Sequence, residues 1–149
     1  MNNFARPLGA FLGFGIFVWL SGANFQAVAE EISMQDQTSF KNIISSQISA
    51  FKSGDISRAY EFASPGVKEK FSTIEEFSMM AKNGYPQVYN PRSFKFGELS
   101  SKLGSPTQHV HVIGPQGKLW TALYGFEKQP DGTWRISAVA LMRRPDAGA

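Results

Sequence analysis

Residues 118–142 read KLWTALYGFEKQPDGTWRISAVALM, and this stretch decides the fold. Its two halves, Lys118–Glu127 and Thr133–Met142, are apolar runs rich in Val, Ile, Trp and Tyr. Between them lies Gln129-Pro130-Asp131-Gly132, a cluster of turn-forming residues. Apolar runs joined by so short a turn are typical of a β-hairpin. The stretch therefore predicts two antiparallel strands.

Two further strands are predicted upstream of this hairpin. Phe94 and Phe96 alternate with Lys95, and Gln108–Ile113 is a second β-type run. The turn cluster Gly114-Pro115-Gln116-Gly117 joins that run to the hairpin. The C-terminal half is therefore expected to be an antiparallel meander.

The N-terminal half has helical periodicity instead. Apolar residues recur at three-four spacing from Phe40 to Phe51, and Gly54 suits the left-handed residue after a helix. We expect a second short helix from the cap Asp55 to about Ala63, and another helical turn at 67–71. A third helix should run from Ser72 or Thr73 to Lys82, followed by an extended link over 85–91. Helices followed by a meander indicate an α+β fold with the helices packed on a curled antiparallel sheet.

Strict strand alternation also predicts which side chains share a face. In the third strand it separates Leu119, Thr121 and Leu123 from Trp120, Ala122, Tyr124 and Phe126. In the fourth it groups Trp134, Ile136, Ala138, Ala140 and Met142, and by this parity Trp120 and Trp134 lie on opposite faces. Both faces are substantially apolar, so both should be covered. Helices would cover one face, and a second subunit or the curl of the sheet would cover the other.

Residues 1–29 have the three parts of a secretory signal peptide. Arg6 gives a positive start, residues 8–23 form an almost unbroken apolar run, and Ala27-Val28-Ala29 provides small residues two apart. Cleavage near Ala29 would give a periplasmic or secreted protein, and an uncleaved membrane anchor is the alternative. The predicted organisation is a signal peptide at 1–29, a flexible segment at 30–37, a single α+β domain at 38–142 and a C-terminal tail at 143–149.

Composition excludes several classes of function. The chain has no cysteine, so it can form neither disulfides nor thiolate metal sites. Its net charge of +3 is spread along the sequence, which argues against a nucleic-acid partner. His109 and His111 would share one strand face, but two imidazoles need at least one more ligand to hold a metal. We therefore predict no metal, no cofactor and no catalytic residues.

Residue blocks along the chain carry a family resemblance. They are Ile48-Ser49-Ala50-Phe51, Gly54-Asp55, Ala59-Tyr60, Ala63-Ser64-Pro65, Phe71, Met80, Gly84-Tyr85-Pro86, Pro91, Gly117, Trp120, Tyr124 and Asp131-Gly132-Thr133-Trp134-Arg135-Ile136. Over about residues 38–142 the chain resembles the exported bacterial family known as domain of unknown function 4864. The element order also resembles the cone-shaped fold of the nuclear transport factor 2-like and ketosteroid isomerase-like superfamily. These resemblances imply export and a cone fold but carry no established activity.

Five side chains are candidates for lining a cavity inside such a cone: Tyr60, Tyr85, Trp120, Tyr124 and Arg135. Aromatic rings with polar tips and one arginine would suit a small amphipathic or anionic ligand. Filling the core is the other explanation for these rings. The sequence favours a non-enzymatic ligand-binding or assembly domain that dimerises through its sheet. The alternatives are an isomerase- or dehydratase-like enzyme, and an envelope-anchored structural protein if the signal is uncleaved.

Overall fold

The computed structural model describes residues 31–101 and 104–145. The predicted signal peptide of residues 1–29 and the last residues of the predicted tail lie outside this range. Within the described ranges, no helix has both the length and the apolar character needed to cross a bilayer. Five helices precede four strands, as the α+β interpretation predicts. The helices are α1 Met34–Ser53, α2 Ile56–Glu61, α3 Pro65–Lys70, α4 Ile74–Gly84 and α5 Pro86–Tyr89.

Helix α1 begins earlier than its apolar stripe. Ser33 and Asp36 form a capping box in which the Ser33 hydroxyl accepts from the Asp36 amide at 3.0 Å. The Asp36 carboxylate in turn accepts from the Ser33 amide at 3.2 Å. A capping box satisfies two amide donors at a helix start, so the polar first turn is helical without burying apolar surface. Residues 34–37, half of the segment predicted to be flexible, therefore form the first turn of α1.

The prediction of an extended link over 85–91 is wrong. Pro86 begins the single-turn helix α5, whose first position tolerates the missing amide hydrogen of proline. The predicted end of α1 and start of α2 are confirmed by their caps, whereas α2 ends at Glu61 and not near Ala63, and α4 runs to Gly84 and not only to Lys82. Gly54 has a φ of 76° after α1, and Asp55 accepts from the Arg58 amide at 3.2 Å at the start of α2.

Four antiparallel strands form one open sheet in the order of the chain. They are β1 Ser93–Ser100, β2 Thr107–Ile113, β3 Leu119–Lys128 and β4 Trp134–Arg143. In the β3–β4 turn the Asp131 carboxylate accepts from the Thr133 amide at 2.9 Å, so its assignment as a turn residue is confirmed. Beyond β4, the segment between α2 and α3 adds a short parallel bridge, Ala63 to Ile136.

A bulge at Ser137 changes which residues of β4 share a face. Ile136 is opposite Phe126, yet Ala138 is opposite Gly125, so Ser137 has no partner across the pair. The extra residue reverses the alternation from this point. The prediction that Trp134, Ile136, Ala138, Ala140 and Met142 share one face is therefore wrong.

The two strand tryptophans consequently lie on the same side of the sheet. Trp134 is opposite Lys128. Lys128 follows Trp120 by an even number of residues in β3, so the two side chains point to the same side of the sheet. Both indoles pack against the same buried cluster, and Trp134 also meets the Phe40 ring of α1 edge to face at 4.9 Å. The prediction of opposite faces fails because register across the β3–β4 turn, and not parity within a strand, relates the two positions.

The interior consists of two apolar clusters. We call the first the sheet core, which packs α1 and α5 on the sheet: Phe40, Ile44, Ile48, Val88, Val110, Val112, Ala122, Tyr124, Phe126 and Ile136. We call the second the helical core, which packs the end of α1 against the short helices: Ala50, Phe51, Ala59, Ala63, Phe77 and Ala81. The opposite face of the sheet, which we call the outer face, is only partly covered by the residues that the structure describes, and Met142 there is 56% exposed.

Candidate functional site

A pocket of about 500 Å³ lies where the helical core meets strand β4. All helices except α2 contribute walls, and so does the bulged part of β4. The residues that line it are Gln47, Phe51, Ala63, Ser64, Gly66, Val67, Lys70, Phe71, Phe77, Met80, Ala81, Tyr85, Val88, Glu127, Ile136, Ser137, Ala138 and Val139. Pockets of 300–1,000 Å³ are the usual size for small-molecule sites, so the volume is adequate for such a ligand.

Aromatic rings from different helices build the apolar wall. Phe51 of α1 stacks on Phe77 of α4 with ring centroids 5.9 Å apart. Behind that wall, the Tyr60 ring meets Phe77 edge-on at 5.1 Å, and its hydroxyl donates to the Phe71 carbonyl at 2.7 Å. These contacts fix the segment that follows α3, so Tyr60 supports the aromatic wall on the side away from the pocket.

Two buried polar side chains interrupt the apolar lining. Gln47 is 4% exposed, and its Nε2 donates to the Ala59 carbonyl at 3.3 Å. Ser64 is 1% exposed, and its hydroxyl accepts from the Val67 amide at 3.4 Å as the cap of α3. Both hydrogen bonds are long, so each group can also bind a ligand without breaking a strong interaction.

The mouth of the pocket is marked by its exposed lining residues, Gly66, Lys70, Glu127 and Ala138. Lys70 and Glu127 place one positive and one negative side chain there. The bulge residue Ser137 lies beside them and is half-buried. Bulges recur beside binding sites because they redirect a side chain. The mouth is thus polar and the interior apolar.

Two of the five predicted cavity residues lie at this pocket. Tyr85 lines it directly, at the end of α4. Tyr60 stands behind the lining, in contact with Phe77. The structure therefore brings these two tyrosines together around α4.

The other three predicted residues lie elsewhere. Trp120 lines a separate cleft beside the β2–β3 turn. Tyr124 is fully buried in the sheet core, and its hydroxyl has no partner among the described residues. Burial raises the pKa of that hydroxyl, since the charged form would be desolvated. Arg135 donates to the Glu61 carbonyl at 3.0 Å and so ties β4 to the end of α2.

Sequence reasoning missed Gln47, Ser64 and Ser137 as pocket residues. For Gln47 a signal was present, because it is the one polar residue within the apolar stripe of α1, between Ile44 and Ile48. A polar residue on a buried helix face usually has a hydrogen-bonding role. Ser64 reads as a helix breaker, and Ser137 reads as an ordinary strand position until the bulge is known.

The two histidines share one face of β2, as predicted, and the structure places them on the outer face. His109 Nδ1 is 3.7 Å from the Glu98 carboxylate, and His111 Nδ1 is 3.2 Å from the Thr121 hydroxyl. Desolvation, followed by the charges of Arg144 and Lys95, lowers the pKa of His111. In the part of the chain that the structure describes, no three His, Asp or Glu side chains are grouped so that they could hold a metal ion.

Comparison with known proteins gives one match. A family model described as a domain of unknown function, DUF4864, matches residues 33–149. No curated protein and no solved structure matches the chain. The matched range covers the whole described domain, including the pocket.

Proposed function

The chain belongs to the DUF4864 family, whose description names no activity, and from the pocket we propose that it is a non-enzymatic domain that binds a small amphipathic ligand. The observation that carries the proposal is the pocket's division into an aromatic interior and a polar mouth. An amphipathic ligand places its apolar part inside and its polar group at the entrance, which matches that division.

The interior favours an apolar group that carries one or two hydrogen-bonding atoms. Phe51, Phe77 and Met80 would supply most of the contact area, and burial of apolar surface contributes about 25 cal/mol per Å². Gln47 and Ser64 offer the buried polar contacts that would orient the ligand. Binding energy would therefore come from the rings, and orientation from these two side chains.

An isomerase or dehydratase would need a different lining. Such enzymes use a desolvated ionisable group whose pKa is tuned by burial and by a partner. The described lining contains no histidine, and its carboxylate, Glu127, is exposed at the mouth. This chemistry favours binding over proton transfer.

Two further proposals concern the place and shape of the protein. A signal peptide at residues 1–29 would export the domain, so its ligand would be met in the periplasm or outside the cell. An uncleaved segment would instead keep the domain at a membrane. A pocket between helices and one face of an antiparallel sheet also supports a cone fold like that of the nuclear transport factor 2-like superfamily.

The outer face is proposed to bind a second copy of the chain. Half-buried Ile113, Leu119 and Leu123 surround the centre of this face. Exposed Ala140 adds apolar surface at the β4 side, next to Met142. Exposed apolar surface of this kind is typical of self-association. Light scattering should show a dimer, and Leu123→Lys should give a monomer that melts cooperatively.

The pocket is tested with anilinonaphthalene sulfonate, an anionic aromatic probe whose fluorescence rises in apolar surroundings. We expect saturable binding of one probe per chain by calorimetry. Ala81→Phe should abolish it, because Ala81 is buried in the lining and a phenyl ring would occupy the cavity. Thr38→Phe is the matched control, because Thr38 is exposed on α1 and lines neither the pocket nor the outer face, and it should bind the probe normally.

Folding of each variant is checked by its thermal melting curve. Should Ala81→Phe not fold, Val67→Trp fills the same pocket from a half-buried lining position. The proposal is wrong if the native chain shows no saturable binding, or if folded pocket-filling variants bind the probe as well as the control does.

A further inference from the structure

Two clefts meet beside the β2–β3 turn, away from the mouth of the pocket. One, of about 180 Å³, ends at Trp120, and the other, of about 630 Å³, ends near Lys52 at the end of α1. Pro86 of α5 and Pro115 of the turn line both clefts. The two clefts therefore form one continuous surface, which we call the turn groove.

The turn groove carries charge of one sign. Lys52, Lys82 and Lys118 line it, and all three are exposed. Its described lining residues include no aspartate or glutamate. Lining of one sign favours a ligand of the opposite sign, and it does so most strongly at low salt.

One buried polar atom in the groove lacks a partner. Gln87 lines the smaller cleft, and its Oε1 is buried with no hydrogen bond among the described residues. A buried acceptor left unpaired is costly, so this atom favours a ligand that brings an N–H or O–H donor. Phosphate groups and ionised carboxylates offer mainly acceptors and cannot meet this need alone. A peptide offers backbone N–H donors together with acidic side chains.

The walls of the groove are held in place before any ligand arrives. Arg92 Nε donates to the Pro115 carbonyl at 3.1 Å, and the Arg92 amide donates to the Ile113 carbonyl at 2.8 Å. Gly114 lies between these walls, where a Cβ would make ordinary contacts with Gln87 Cγ at 3.4 Å and with the Trp120 ring at 3.5 Å. Such preorganisation lowers the entropic cost of binding.

From the charge, the unpaired acceptor and the fixed walls together, we propose that the turn groove binds an extended acidic peptide segment of a partner protein. The lysines bind its carboxylates, Gln87 accepts from a backbone amide, and Pro86, Pro115 and Trp120 contact its aliphatic stems. This inference does not depend on the pocket or on its ligand.

The test is fluorescence polarisation with a labelled peptide of alternating Glu and Ala, about eight residues long, which extends over roughly 26 Å. The purified native chain should bind it saturably, and the peptide with Gln in place of Glu should bind about tenfold more weakly. Replacing Lys52, Lys82 and Lys118 with Ala should weaken binding about tenfold, whereas Lys95→Ala on the outer face should not change it.

The Gln87→Leu variant distinguishes binding of a peptide from binding of other anions. It should weaken binding of the acidic peptide about fivefold while leaving the weak binding of fully ionised tripolyphosphate unchanged, because that anion has no N–H or O–H donor and is held by the lysines alone. Three outcomes would each overturn the proposal: equal binding of the glutamine peptide, binding of a short RNA as tight as that of the acidic peptide, or free glutamate displacing the peptide at millimolar concentration. The pocket is tested separately by the anilinonaphthalene sulfonate assay, so the proposal for either site can be contradicted while the other stands.

Discussion

The sheet core and the helical core are built on the same helix, yet they pack differently. In the sheet core, large side chains of α1 such as Phe40 and Ile44 meet Val110, Tyr124 and Phe126 across a regular sheet. In the helical core, four of the six buried residues are alanines, and the surrounding helices are short. Small side chains on short helices leave volume unfilled, whereas the large side chains of a long helix can interdigitate with those of a sheet. The comparison explains why the pocket adjoins the helical core.

The largest expected difference is between two phenylalanines. Phe40 is 0% exposed in the sheet core, and Phe77 is 4% exposed but faces the pocket. Phe40→Ala should lower the free energy of unfolding by about 5 kcal/mol, and Phe77→Ala by about 3 kcal/mol, because Phe77 already lacks neighbours on its pocket side. Urea unfolding of both variants measures the difference. Equal losses would mean that the pocket is closed in solution.

Two buried glutamines give the next comparison. Gln108 Nε2 lies within 3.0–3.2 Å of three carbonyls, those of Gly97, Glu98 and His109. They lie where the β1–β2 register shifts between Phe96 and Leu99. Gln47 makes one hydrogen bond of 3.3 Å and borders the pocket. Gln108→Leu should cost about 2–3 kcal/mol, and Gln47→Leu less than about 1 kcal/mol. A larger loss from Gln47→Leu would show that Gln47 is structural and not available to a ligand.

A smaller difference separates two tyrosine hydroxyls. The Tyr60 hydroxyl donates to the Phe71 carbonyl, whereas that of Tyr124 is buried without a partner among the described residues. Tyr60→Phe should cost about 1 kcal/mol, and Tyr124→Phe should leave stability unchanged or raise it slightly. Thermal melting measures both. If Tyr124→Phe is destabilising by more than Tyr60→Phe, then Tyr124 has a partner such as an ordered water.

The smallest effect is a pH dependence at the edge of the sheet core. Hydrogen bonds from the Trp134 indole, at 2.9 Å, and from Ser33 lower the pKa of Asp36. A lowered pKa in the folded state stabilises the fold above the unfolded-state value, about 4, and this contribution is lost as pH falls through the folded value. Trp134→Phe should therefore lose less stability than the native chain between about pH 5 and pH 2. An equal loss of stability in Trp134→Phe and in the native chain over this pH range would contradict the assignment.

The sequence predicted most of this architecture and little of the pocket. Caps such as Asp55 and turn residues such as Asp131 and Gly132 act within a few positions, so local pattern is sufficient for them. The bulge at Ser137 could not be read, because it depends on register with β3. The alanines at 59, 63 and 81 are ordinary in helical sequence, and the space they leave appears only when the helices pack.

The central claim is that a ligand enters the pocket and leaves the sheet core unchanged. It is tested most directly by methyl NMR spectra recorded during a titration with anilinonaphthalene sulfonate. We predict saturable shifts for Val67 and Met80, which line the pocket, and none for Ile44 and Val110 in the sheet core. Shifts at Ile44 and Val110 of the same size as those at Val67 and Met80, or no saturable shift at Val67 and Met80, would contradict the account.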